Sequence, residues 1–327
     1  MTLKETMKIK KVGPRWTLPY ISGEKELKLR QKYSLKLVGL LTALFVFSLI
    51  LTGCSSSKSA SKQLNVVATT DFYGETAKAV LGNKGKVTSI INSPNIDPHS
   101  FEPTTLTGKQ VANANVIVAN GVGYDGWMDK LAGNNSSKNY IRVGEDLYGL
   151  KNGANPHLWY KPETMPKLAN DLATKYSKLQ PKNKAYFENN AKKYIKSLAP
   201  VNKELNKLKK AAKTSKNKEV YVSEPVFDYA LEAIGFKVAN PKFEKDTENG
   251  VDPSPSSIKT MTSGIKNHKI AFFVFNKQVD SKTVNNFVNL AKQNKIPVLG
   301  VTETLPEHEN YNSWMISQYQ QLNNILK

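Results

Sequence analysis

From residue 64 onward the chain alternates short, β-branched apolar runs with amphipathic segments, and it does so in two series separated by a wholly helical stretch, 162–213. The first series predicts strands at Leu64–Thr69, Val87–Ile91, Val116–Ala119 and Ile141–Val143, with helices at Tyr73–Leu81, Leu106–Asn113 and Trp127–Leu131. The second predicts strands at Glu219–Ser223, Ile270–Phe275 and Ile296–Val301, with helices at Val226–Ile234, Ile258–Ile265, Lys282–Asn294 and Ser313–Leu326. Strands that alternate with helices form mainly parallel sheets covered on both faces. The expected fold class is therefore α/β: two β/α lobes, 64–180 and 214–327, joined by a long connecting helix over 181–213. Pro162–Leu179 carries Met165, Leu168, Leu172 and Tyr176 at helical spacing, and Pro200 is placed to kink or split the connector.

The segment before residue 64 has another character. Leu37–Leu51 is an uncharged apolar run behind a basic stretch, too short for a confident spanning helix, and it ends at Leu51-Thr52-Gly53-Cys54. An apolar region that closes on small residues before a cysteine resembles a bacterial lipoprotein signal, with Cys54 as the lipidated first residue. That reading assigns 1–53 to a signal peptide and 54–63, rich in Ser and Lys, to a flexible tether. Cys54 is the only cysteine, so no intramolecular disulfide or thiolate cluster can form.

The net charge of +20 suggests an anionic partner. Ten basic and three acidic side chains lie before residue 54, which leaves +13 spread over the rest. There is no arginine-rich cluster and no basic stripe with interleaved aromatics, so nucleic acid is not expected; dispersed lysines suit a solvated face near an anionic envelope.

Two of the four histidines, His99 and His157, directly follow a proline. Proline freezes its own φ and biases its predecessor toward extended backbone, so each imidazole is presented from a stiff loop. A pair of ordinary turns would show the same pattern. In open parallel sheets ligands bind beyond the carboxyl ends of the strands. His99 and His157 fall there in the first lobe, and Glu224 and Glu303 in the second. Two imidazoles and two carboxylates could surround one divalent cation in the cleft between lobes, the carboxylates neutralising its charge.

Residues 64–327 resemble a solute-binding lipoprotein of the zinc/manganese ABC-importer family. The resemblance rests on Asp97-Pro98-His99-Ser100-Phe101-Glu102-Pro103, Ala114–Gly121 (ANVIVANG), Asn155-Pro156-His157-Leu158-Trp159, Ser223-Glu224-Pro225-Val226-Phe227-Asp228 and Ile296–Glu303 (IPVLGVTE). It implies an extracytoplasmic receptor that captures Mn2+ or Zn2+ and delivers it to a membrane permease driven by a separate ATPase. It also implies a monomer held to the cell membrane through Cys54, and only modest lobe movement. The family's two histidine ligands fall on His99 and His157. Its third position, histidine in many zinc-type members and glutamate in manganese-type ones, falls on Glu224. Its last acidic ligand falls on Glu303, where aspartate is more usual. An oxygen-rich shell, with no histidine-rich loop, favours manganese over zinc as the ion.

Other readings carry less. Gly121-Val122-Gly123-Tyr124-Asp125-Gly126 has the letters of a dinucleotide fingerprint, but it follows a third strand and is expected to be a turn. No phosphate-loop motif occurs, so ATP hydrolysis by this chain is not expected. His308, five residues past Glu303, is the rival for the fourth ligand; His268 and Asp252 read as turn residues, and Asp97 and Glu102 as solvated or supporting groups. A metal-dependent hydrolase is the alternative, but four protein ligands leave no open position for water. A surface adhesin on the same scaffold would need a protein-binding motif, and none is read here.

Overall fold

The computed structural model describes residues 63–133 and 139–327. The expected signal peptide, Cys54 and most of the tether lie outside the described residues. Among those described, no helix is long and apolar enough to cross a membrane.

The first lobe runs β1 (Leu64–Thr70), α1 (Asp71–Leu81), β2 (Gly85–Ile91), α2 (Thr105–Ala112), β3 (Val116–Ala119), α3 (Gly126–Ala132), β4 (Tyr140–Arg142) and α4 (Val143–Tyr148). Its sheet has the order β2-β1-β3-β4 with every pairing parallel. Strands β1 and β3 are buried along nearly their whole length, as expected of central strands covered on both faces. The strand expected at Ile141–Val143 ends a residue earlier, because Val143 already opens α4.

The second lobe runs β5 (Glu219–Val222), α8 (Asp228–Ile234), β6 (Lys237–Val238), α9 (Pro241–Glu248), α10 (Pro255–Lys266), β7 (Phe273–Asn276), α11 (Lys282–Gln293), β8 (Val298–Val301) and α12 (Tyr311–Ile325). The sheet order β6-β5-β7-β8 repeats that of the first lobe, again all parallel. In α11 the pattern and the outcome agree closely. Ser281 caps the helix by accepting a bond from the Val284 amide, and Val284, Phe287, Val288 and Ala291 form the buried stripe.

The connector is not one helix over 181–213. After α5 (Thr164–Leu179) the chain forms α6 (Lys184–Ser197) and α7 (Ala199–Thr214), broken at Leu198. Pro200 sits in the first turn of α7, where its missing N–H costs no helical bond. Helix α6 packs on α1 and α5 of the first lobe, whereas α7 packs on α8 and α12 of the second. One continuous apolar core runs through both lobes, from Phe72 and Trp159 to Val222, Trp314 and Leu322.

Candidate metal centre

Three of the four expected donors follow a strand, and the fourth follows a helix. His99 stands in the loop after β2, His157 in the segment after α4, Glu224 just past β5 and Glu303 just past β8.

His157 is fully buried, and its ring is oriented by Asn155. The Asn155 side chain donates through Nδ2 to the Pro225 carbonyl at 2.8 Å, which leaves Oδ1 as the acceptor facing His157. That oxygen accepts from the His157 amide at 3.0 Å and contacts Nδ1 at 2.8 Å. An acceptor there requires Nδ1 to carry the proton, so the Nε2 lone pair points free. Nε2 is buried and has no hydrogen-bond partner. A buried ring nitrogen left this way, beside a second imidazole and a carboxylate, is free to take up a cation. Burial lowers the pKa of this imidazole and keeps it neutral, the state in which it can bind a cation.

His99 is held from the backbone. The Asp97 carboxylate accepts from the His99 amide at 2.9 Å and from the Ser100 hydroxyl at 2.8 Å, so Asp97 shapes the loop. His99 Nε2 lies 3.5 Å from Glu303 Oε1, and His157 Nε2 lies 3.9 Å from the same oxygen. Donor atoms of His99, His157 and Glu303 all fall within 4.8 Å of one another. Burial alone would lower the His99 pKa, but the adjacent Glu248 and Glu303 carboxylates outweigh it and carry the group up to about 10. Glu303 moves the opposite way: burial raises it, and the two imidazoles and Tyr124 bring it below its ordinary value.

Glu224 is buried beside this trio without joining it. Burial pushes its carboxyl up to about 7, against the lowering effect of Asn276, and its Oε2 has no partner. Asn276 also faces Glu303, with Nδ2 donating to Oε2 at 3.5 Å. His308 and His268 stand exposed in left-handed backbone, at φ 63° and 53°, outside the cluster. Asp252 and Glu102 are exposed as well.

The Gly121–Gly126 stretch is a turn in the service of this site. Gly121, Val122 and Gly123 all have positive φ, which glycine adopts freely and the β-branched Val122 does not. The amides of Asn120 and Gly121 donate to Asp125 and that of Val122 to Glu145, so protein carboxylates occupy the positions a phosphate would need. The turn aims Tyr124, whose hydroxyl donates to Glu303 Oε1 at 3.0 Å and whose ring meets that of His99 edge-on at 4.7 Å.

Residues 66–325 fit the family model described as zinc-uptake complex component A, periplasmic. The chain belongs to this family. Among its relatives, the manganese ABC transporter substrate-binding lipoprotein PsaA of Streptococcus pneumoniae is 30% identical over 305 residues, covering 86% of this chain and 96% of its own. The metal ABC transporter substrate-binding lipoprotein ScbA of Streptococcus cristatus is 31% identical over 286 residues, with 81% and 91% covered. The SBP FpvC from Pseudomonas aeruginosa, solved in complex with Mn2+, superposes with a TM-score of 0.67 at 22% identity, over 81% of this chain and 98% of its own. A periplasmic metal-binding protein from Candidatus Liberibacter asiaticus gives 0.64 at 18% identity, over 80% and 99%. The two solved structures establish the shared two-lobe fold.

Two residues of this candidate centre escape a reading of the sequence. Tyr124 lies inside a glycine-rich turn whose letters suggest something else. Glu248 ends α9, a mostly polar helix that buries only Phe243 and Glu244 and so shows no apolar stripe. Glu248 Oε1 nevertheless lies 3.4 Å from His99 Nε2 and 3.8 Å from His157 Nε2. A proline at the helix start and Gly250 after its end were the available signals.

Proposed function

We propose that this protein is an extracytoplasmic receptor that captures Mn2+ or Zn2+ between its lobes and hands the ion to an ABC permease powered by a separate ATPase. The observation that carries it is the orphaned Nε2 of His157, fully buried, tautomer-fixed, and facing a second imidazole and a carboxylate from the other lobe. His99, His157, Glu224 and Glu303 are the proposed ligands. Two neutral nitrogens with two anionic oxygens balance a divalent charge, and the carboxylates favour manganese on hardness. The relatives' names as substrate-binding lipoproteins support delivery to a permease and an anchor at Cys54 in the cell membrane, with residues 54–63 as tether. In this reading the protein works as a monomer and carries its ion without chemical change.

The test is metal content and binding. Purified protein loaded with Mn2+ or Zn2+ holds one ion per chain by mass spectrometry, and calorimetry gives the same stoichiometry. Glu303→Ala abolishes that binding while His308→Ala leaves it intact. A chain that holds no stoichiometric divalent ion would end the receptor reading.

A further inference from the structure

Glu248 is a donor that neither the strand ends nor the proline loops supply. Its Oε1 stands at 3.4 and 3.8 Å from the same two ring nitrogens that Glu303 Oε1 meets at 3.5 and 3.9 Å. Donors that share one first-row divalent ion at bonds of about 2.1 Å sit roughly 3 to 3.5 Å apart. Two of the four separations fall at that spacing and two lie a few tenths of an ångström beyond it. Glu248 stands outside the trio whose donors all lie within 4.8 Å of one another, so it would reach a shared ion through a small side-chain shift. Glu248 Oε1 is buried and makes no conventional hydrogen bond. The residue also closes the C-terminus of α9, where the helix presents its negative end and disfavours a carboxylate. A cation at this point would relieve both conditions. Glu248 and His99 together line two cavities, one of about 470 Å3 and one of about 770 Å3, so an ion arriving through either meets them.

We propose that Glu248 binds the captured ion directly as a fifth donor, brought to the cleft by α9. This rests on the receptor reading above. With Glu248 the shell holds two imidazoles and three carboxylates. Five donors, three of them anionic oxygens, suit Mn2+ better than Zn2+, which prefers four in a tetrahedron. Glu248 then determines which ion the cleft prefers. The competing role is a placeholder, in which the carboxylate only holds His99 until a metal displaces it.

The two roles predict opposite results for Glu248→Gln. Metal-stripped full-length chains, wild type and variant, are titrated with Mn2+ and with Zn2+, and the bound Mn2+ is examined by electron paramagnetic resonance. A donor role lowers Mn2+ affinity by about 10- to 100-fold, lowers Zn2+ affinity by a smaller factor, and alters the Mn2+ spectrum. Glu248→Asp, which keeps the charge and shortens the reach, falls between. Unchanged or tighter Mn2+ binding by Glu248→Gln, with an unaltered spectrum, would overturn the inference. If wild type binds neither ion, the receptor reading falls with it; if wild type binds and the variant is indifferent, Glu248 alone is misassigned. Unfolding of the metal-stripped variants at the wild-type temperature shows that the change is local.

Discussion

The two lobes furnish the cleft in different ways. The first lobe contributes imidazoles that are pinned before any ion arrives: Asn155 fixes the tautomer of His157, and Asp97 fixes the loop of His99. The second contributes carboxylates, and those of Glu224 and Glu248 each leave a buried oxygen without a hydrogen-bond partner. One side thus supplies geometry and the other supplies charge. The preorganised, neutral imidazole of His157 costs little to fix in place, whereas the crowded carboxylates repel one another and hold a proton on His99 that an arriving cation must displace.

The sharpest test of that contrast is His157→Ala, which removes the best-fixed donor. Mn2+ affinity in calorimetry is expected to fall by more than about 100-fold, beyond the range for supporting groups. Asn155→Ala keeps both imidazoles and frees the tautomer. A loss of about 10- to 100-fold is expected, and unchanged binding would remove the basis for calling the first lobe preorganised. The charged side is tested by pH. Burial pushes Asp228 and Glu224 up to about 7 and Glu244 up to about 8, and the carboxylates beside His99 carry it to about 10. All four folded pKa values lie above the unfolded ones, so the folded chain holds the extra protons and loses stability as pH rises through them. The His157 shift has the opposite sign but acts below its ordinary value of 6.5. Thermal unfolding of the metal-free protein should therefore occur at progressively lower temperature between about pH 6.5 and 8.5. Metal affinity should rise over the same window as the His99 proton becomes easier to displace. The smallest effect belongs to Tyr124→Phe, which removes one neutral donor from Glu303 and should cost about 1 kcal/mol, near fivefold in affinity.

Much of this was legible in the chain. The β/α alternation gave both sheets because central strands such as β1 and β3 are apolar on both faces, and strand ends then located His99, Glu224 and Glu303. What escaped has physical reasons. The two-residue β6 is too short for a periodic signal, and α9 buries too little apolar surface to show one. The connector's split was legible in Pro200, but not its place, which falls at Leu198 with Pro200 inside the first turn of α7. Glu248 reaches the imidazoles only through the tertiary placement of α9, which local sequence does not encode.

Helix α12 belongs to the second lobe in sequence yet is stitched to the first. The Tyr311 hydroxyl donates to the Trp159 carbonyl at 2.7 Å, its amide donates to Glu75 at 2.8 Å, and Trp314 lies against Phe72 and Tyr160. A wide rotation of the halves would strip these bonds and wet the core they share. These ties oppose a wide opening of the cleft. Where they hold, a partner that distinguishes the metal-bound from the metal-free protein would have to read the charge of the cleft and the setting of α9 rather than a changed outline.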